Sequence, residues 1–101
     1  FCRIGRYCFV AGGSIIRKDL PPFMMGKGND FRVQGINIVG LTRQGFSAPT
    51  RSRLKQLYKI FYLRGLTVEK AVQQILIDVG ATDEVNLFLE FVKQTKVGCI
   101  R

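Results

Sequence analysis

The sequence predicts a mixed fold, a closing coil of a parallel β-helix followed by an all-α domain, and three patterns carry that prediction. Aliphatic residues recur every six positions at Ile4, Val10 and Ile16, which is the period of hexapeptide repeats that wind a parallel β-helix. From Ser47 onward apolar residues recur at i, i+3, i+4 and i+7, the spacing of amphipathic helices. Residues 35–47 lie between the two patterns and must carry the chain from one architecture into the other.

The coil is expected over residues 1–27. Small residues follow two of the aliphatic leads, Gly5 and Ala11, and recur at Cys8 and Ser14, with Cys2 in register one repeat earlier. Small side chains suit a backbone that turns a corner, while each leading aliphatic points into the prism. Three sixes make one coil, and stacked repeats need about three units or more to bury their faces. Earlier coils are therefore expected in a longer protein, of which this chain, starting at Phe rather than Met, is a piece. Two short strands joined by Gly-rich turns are the alternative. Gly12 and Gly13 are read as tight packing on the coil, since neither Lys-Ser nor a helix start follows them as in a phosphate loop. Pro21 and Pro22 remove two backbone donors where winding stops, and Gly26, Gly28 and Asn29 mark a loop.

The all-α domain is expected over residues 28–101. After Phe31 the pattern reads as a short helix packing through Ile36, Val39, Gly40 and Phe46 and ended by Gly45. Ser47 caps the next helix, with Pro49 in its first turn, where a missing N–H costs nothing. Its stripe is Leu54, Leu57, Tyr58 and Phe61, and Gly65 ends it. Thr67 caps a third helix with Val68, Ala71, Val72, Ile75, Leu76 and Val79 on one face as far as Gly80. Thr82 or Asp83 opens a fourth, packing through Val85, Phe88, Leu89 and Val92. Its acidic first turn (Asp83, Glu84) and its closing Lys93 and Lys96 match the helix dipole. These stripes are read as core packing, with no active site.

Composition narrows the function classes. Apolar residues make up 47% of the 101, enough for a packed core and against disorder. No apolar run approaches the roughly 18 residues of a membrane helix, and no secretory leader is present, so a soluble chain without a transmembrane segment is expected. The net charge is +9, and residues 1–64 hold twelve Lys or Arg against Asp19 and Asp30 alone. That field predicts an anionic partner without choosing among nucleic acid, membrane, phosphorylated small molecule or acidic protein. Cys2, Cys8 and Cys99 lack metal-type spacing and there is no histidine. The thiols are expected to be reduced and buried, with no metal site. Without a histidine no nucleophile and base pair forms, so no catalytic residue is assigned within the chain.

Asn37, Gly40, Leu41, Arg43, Gly45 and Phe46, with Asp19-Leu20-Pro21-Pro22-Phe23 and Gly28-Asn29 upstream, resemble the C-terminal part of the UDP-N-acetylglucosamine O-acyltransferases of lipid A biosynthesis, and the resemblance runs from Phe1 to Arg101. It implies that the coil is the last of a left-handed parallel β-helix. It implies a cytoplasmic homotrimer, without cofactor, that moves a fatty acyl group from acyl carrier protein to the 3-hydroxyl of UDP-N-acetylglucosamine, with its basic histidine on an earlier coil. Residue by residue, it implies that Asn37, Arg43 and Gln44 contact the UDP-sugar and that Gly12 lines the acyl-chain groove. Arg51, Lys55 and Lys59, at i, i+4 and i+8, would dock the acidic carrier protein. A guanidinium offers the forked donors that a pyrophosphate accepts. Two departures are visible: Gln44 stands where the family often has a second Arg, and Val39 where some members have a carboxylate, so weaker phosphate affinity is expected.

On the residues alone, Gly12 is equally a corner glycine, Arg43 a solvated charge, and the basic row an ordinary wet surface. Two other classes compete with the enzyme. A small basic helical module would use Arg51, Lys55 and Lys59 against nucleic acid, although the hexapeptide register argues against it and no nucleic-acid partner is expected. A non-catalytic oligomerisation domain would need only the apolar helices.

Overall fold

The structure is a computed structural model that describes residues 2–101; Phe1, the first residue of the expected coil, lies outside the described residues. The six-residue pattern does wind a coil. Strand β1 (Phe9–Val10) pairs in parallel with β2 (Met24–Lys27), and an isolated parallel bridge joins Ile4 to Leu20. Phe9 faces Met25 and Val10 faces Gly26, so in all three pairs the partner lies sixteen residues on, two short of three full sixes. Val10 and Ile16 pack against the core as expected. Ile4 does not, being 55% exposed at the open rim of the coil.

Gly12–Gly13 is a corner, as the alternative reading of Gly12 has it, but the corners do not fall at Gly5, Cys8, Ala11 or Ser14. The chain turns at Arg6–Tyr7, Gly12–Gly13 and Pro22–Phe23, and the left-handed residues there are Tyr7 (φ 63°), Gly13 (φ 79°) and Phe23 (φ 74°). A left-handed backbone disfavours residues other than glycine. At two of these corners the ring stacking of neighbouring coils offsets that cost, since Tyr7 and Phe23 lie 5.8 Å apart with their planes 3° from parallel. Gly5 answers a different need: a Cβ there would stand 2.4 Å from the Pro22 nitrogen of the next coil. The expected tight packing at Gly12 and Gly13 is absent, for a Cβ at either would meet nothing within 4 Å.

The short helix expected directly after Phe31 is a strand over its first residues. Strand β3 (Arg32–Ile36) runs antiparallel to β2, giving a sheet of order β1-β2-β3 with a bulge beside Met25 and Gly26. Its side chains alternate from exposed Arg32 to buried Ile36. Pairing along β2 supplies the backbone partners that a helix would otherwise supply, so tertiary contact overrides the local pattern. A Cβ on Gly26 would meet the Arg32 carbonyl at 2.0 Å, so the hairpin requires glycine there. The expected boundary at residues 27 and 28 falls in this hairpin, and one hydrophobic core crosses it, joining Leu20, Phe23 and Met24 to Leu54, Phe61 and Phe88.

Helices follow in the expected order: α1 (Ile38–Arg43), α2 (Ala48–Tyr58), α3 (Val68–Asp78) and α4 (Asp83–Gln94). Ser47, Thr67 and Thr82 each accept a hydrogen bond from the backbone N–H three residues on, which relieves an orphan donor of the first turn. Gly80 ends α3 in a left-handed turn. Lys96 lies beyond α4 rather than in its last turn. Of the expected α3 stripe only Ala71 and Ile75 are fully buried, while Val68 and Leu76 face a groove beside α4. Helix α2 continues as one π-helical stretch, Lys59–Leu63. The final residues return to the coil: Cys99 bridges Asp19 in parallel, and the Arg101 guanidinium donates to the Phe61 and Leu66 carbonyls at 2.8 and 2.6 Å.

Candidate functional site

The junction from the sheet into α1 places the candidate ligand residues. Asn37 caps α1 with its side chain, Oδ1 accepting from Gly40 N–H at 3.2 Å, while Nδ2 donates to the Tyr7 carbonyl at 3.1 Å. Its own backbone N–H donates to the Phe23 carbonyl at 2.7 Å. The side chain is thus engaged by both the coil corner and the helix start, leaving one amide hydrogen for another partner. Gly40 sits so close that a Cβ there would press on Asn37 Nδ2 at 2.3 Å.

At the other end α1 closes with a Schellman turn. Gly45 N–H donates to the Thr42 carbonyl and Phe46 N–H to the Leu41 carbonyl, with Gly45 left-handed at φ 83°, the bonding that a C-terminal glycine permits. The turn throws Phe46 edge-on against Tyr7 and Phe23, at 5.0 and 6.1 Å. Both ends of α1 are therefore fixed to the same aromatic corner of the coil. Between them Arg43 sits in the last turn, exposed, and among the described residues its guanidinium makes no hydrogen bond or ion pair. Gln44, also exposed, is the C-cap residue, its backbone N–H donating to the Gly40 carbonyl.

The basic row on α2 is divided by the structure. Lys55 and Lys59 are exposed one turn apart, as expected, but the Arg51 guanidinium turns back to donate to the Phe46 carbonyl. Arg51 thereby braces the α1–α2 turn, which sequence spacing could not show. Gly12 is exposed on the coil, with open space above it.

Titratable groups elsewhere serve the fold. Asp19, 2% exposed, accepts from Arg3 N–H and from the Thr95 hydroxyl. Burial works against its charge, but the Thr95 and Arg3 hydrogen bonds and the Arg3 guanidinium outweigh that and hold the carboxyl below the ordinary 3.8. Burial pushes the Cys8 and Cys99 thiols up to about 11, so both are poor nucleophiles at neutral pH. Cys2 is exposed, against the expectation that all three are buried. The Tyr62 hydroxyl is buried without a partner, and burial raises its pKa. Among the described residues no group of three His, Cys, Asp or Glu is arranged to hold a metal, and no helix is long and apolar enough to cross a membrane.

Residues 19–100 match the family model described as UDP N-acetylglucosamine O-acyltransferase, domain 2. The chain is 37% identical over all its 101 residues to the acyl-[acyl-carrier-protein]–UDP-N-acetylglucosamine O-acyltransferase of Aliivibrio salmonicida, covering 38% of that protein. It is 45% identical over 98 residues to the protein of the same name from Syntrophobacter fumaroxidans, covering 96% of the chain and 38% of the relative. Among solved structures, a UDP-N-acetylglucosamine acyltransferase from Bacteroides fragilis superimposes on the whole chain with a TM-score of 0.96 at 34% identity, 40% of its own length being covered. The corresponding Moraxella catarrhalis structure gives 0.92 at 31% identity over the whole chain and 39% of its length. The chain thus spans about two-fifths of the length of these relatives.

Proposed function

The chain belongs to the UDP N-acetylglucosamine O-acyltransferase family through its second domain, and from that premise we propose that the whole protein moves a fatty acyl group from acyl carrier protein to the 3-hydroxyl of UDP-N-acetylglucosamine, the first step of lipid A biosynthesis. This chain has no histidine, so the proton acceptor for that hydroxyl comes from another part of the whole protein. On this reading the protein works in the cytoplasm as a homotrimer.

The residues of this chain bind rather than transform. Arg43 receives the diphosphate of the UDP-sugar, with Gln44 beside it and the remaining amide hydrogen of Asn37 reaching the same ligand from the start of α1. Gly12 leaves the acyl groove open, a reading supported by the empty space above it. Lys55 and Lys59 meet the acidic carrier protein, with Arg51 holding the turn behind them. The single observation that carries the nucleotide assignment is the exposed, unpaired Arg43 on a six-residue helix anchored at both ends. Its backbone is held in place, and the free guanidinium keeps its forked donors for an arriving phosphate.

Steady-state kinetics of the whole protein test it. Arg43→Ala is expected to raise KM for the UDP-sugar by about tenfold or more, the loss of a charge-assisted contact, while KM for the acylated carrier protein stays within about twofold. An unchanged KM for the UDP-sugar removes Arg43 from the site.

A further inference from the structure

Helix α1 has little of its own to hold it. It is six residues long and buries only Leu41, while Ile38 and Val39 are exposed. A helix this short is not stable by itself in water, so the direction in which α1 points is set by its two ends.

Both ends rest on one residue of the coil, Tyr7. Its carbonyl accepts from Asn37 Nδ2 at 3.1 Å, just before α1 begins, and its ring meets Phe46 edge-on at 5.0 Å, just after α1 closes. The ring is held in turn by Phe23, stacked at 5.8 Å, and by the Arg6 guanidinium, 5.7 Å from its centroid. Tyr7 is left-handed at φ 63°, a conformation that disfavours a bulky side chain and persists only where surrounding contacts impose it. Glycine suits that backbone better, as at the next corner, where Gly13 takes φ 79°. A tyrosine at this corner is explained by what its ring supports. A second brace reaches the same turn from α2, where the Arg51 guanidinium donates to the Phe46 carbonyl. Arg43 stands three residues before Phe46, so any shift of the turn displaces the backbone beneath it.

We propose that Tyr7 and Arg51 are positioning residues for the UDP-sugar site: neither touches the ligand, and together they hold the backbone beneath Arg43 where its guanidinium reaches the diphosphate. The inference rests on the assignment of Arg43 to the nucleotide and adds how a coil corner and α2 set the strength of that contact. Binding groups lose their effect steeply when displaced, even by changes far from the ligand.

A double-mutant cycle on KM for the UDP-sugar in the whole protein tests the inference, with urea midpoints confirming that each variant is folded. Tyr7→Gly keeps the left-handed backbone and its carbonyl but removes the ring. Tyr7→Phe keeps the ring, and Arg51→Met keeps a long stem without the donors. KM for the UDP-sugar is expected to rise about fivefold in Tyr7→Gly and about threefold in Arg51→Met, with kcat and KM for the acylated carrier protein within about twofold. Tyr7→Phe should raise it by less than about twofold. In an Arg43→Ala background both Tyr7→Gly and Arg51→Met should change KM by less than about twofold, because the contact they set is gone. A role in folding alone gives no such dependence on Arg43. If Arg43→Ala raises KM but Tyr7→Gly or Arg51→Met does not, the inference falls while Arg43 stays in the site. If the two substitutions raise KM as much without Arg43 as with it, they act on something other than that contact and the inference is overturned. If Arg43→Ala itself leaves KM unchanged, the nucleotide assignment fails and the inference with it. Should Tyr7→Gly not fold, the Arg51→Met cycle decides.

Discussion

Replacing Asn37 with Ala removes, in one step, the cap of α1 and the tie between that helix and the coil. Loss of an N-cap side chain costs about 1 kcal/mol. Leaving the Tyr7 carbonyl without its Nδ2 donor costs roughly another 1 kcal/mol, because Tyr7 is half-buried beneath the aromatic stack. The backbone bond from Asn37 N–H to the Phe23 carbonyl survives the change, so the total is about 2 kcal/mol rather than collapse of the junction. With a urea m-value of about 2 kcal/mol/M, the unfolding midpoint of the chain should fall by about 1 M. Asn37→Ser separates the two contributions: its hydroxyl retains the cap but is too short to reach Tyr7, and about half the loss is expected. A loss below about 0.5 kcal/mol for Asn37→Ala, or Ser as damaging as Ala, would refute the account of this junction. The same arithmetic explains why Arg43, whose side chain holds nothing in place, is the cleaner probe of nucleotide binding.

The folded-state pKa of Asp19 lies below its ordinary value, so its carboxylate contributes stability above the unfolded pKa of about 3.9, and that contribution is lost as pH falls through the lower, folded value. Asp19→Asn should therefore lower the urea midpoint at pH 7, and the gap to the unaltered chain should close as the pH drops below about 4; a gap independent of pH would contradict the assignment. For the thiols, a chromogenic disulfide reagent at pH 8 should titrate about one thiol rapidly, Cys2, and reach Cys8 and Cys99 only on unfolding, since both are partly buried with pKa near 11. Three equally fast thiols would show that the coil and C-terminal segment open freely.

What the sequence determined by itself is whatever depends on neighbours within a turn or a repeat. The caps at Ser47, Thr67 and Thr82 bond three residues ahead, and the helix-ending glycines 45, 65 and 80 adopt the left-handed angles that their positions call for. The six-residue period marked the coil because a repeat displays its register along the chain. Gly45 was legible in the same way as the end of α1, whereas Asn37, Arg43 and Gln44 stood out through the family resemblance and not through a local period, and the capping role of Asn37 emerged only in the structure. Tertiary structure decided the rest, through partners far away in sequence. Residues 32–36 became a strand because β2 offered backbone partners. Arg51 left the basic row because the Phe46 carbonyl lay within reach. Tyr7 and Phe23 took left-handed corners because their rings stack across coils, and Val68 and Leu76 stayed at a groove because α4 does not cover them. Thr95 hydrogen-bonds Asp19 across 76 residues, which no local period encodes. Hydrogen bonds and periodicities within a few residues are properties of the chain, whereas the choice among distant partners depends on which surfaces meet when the whole core closes.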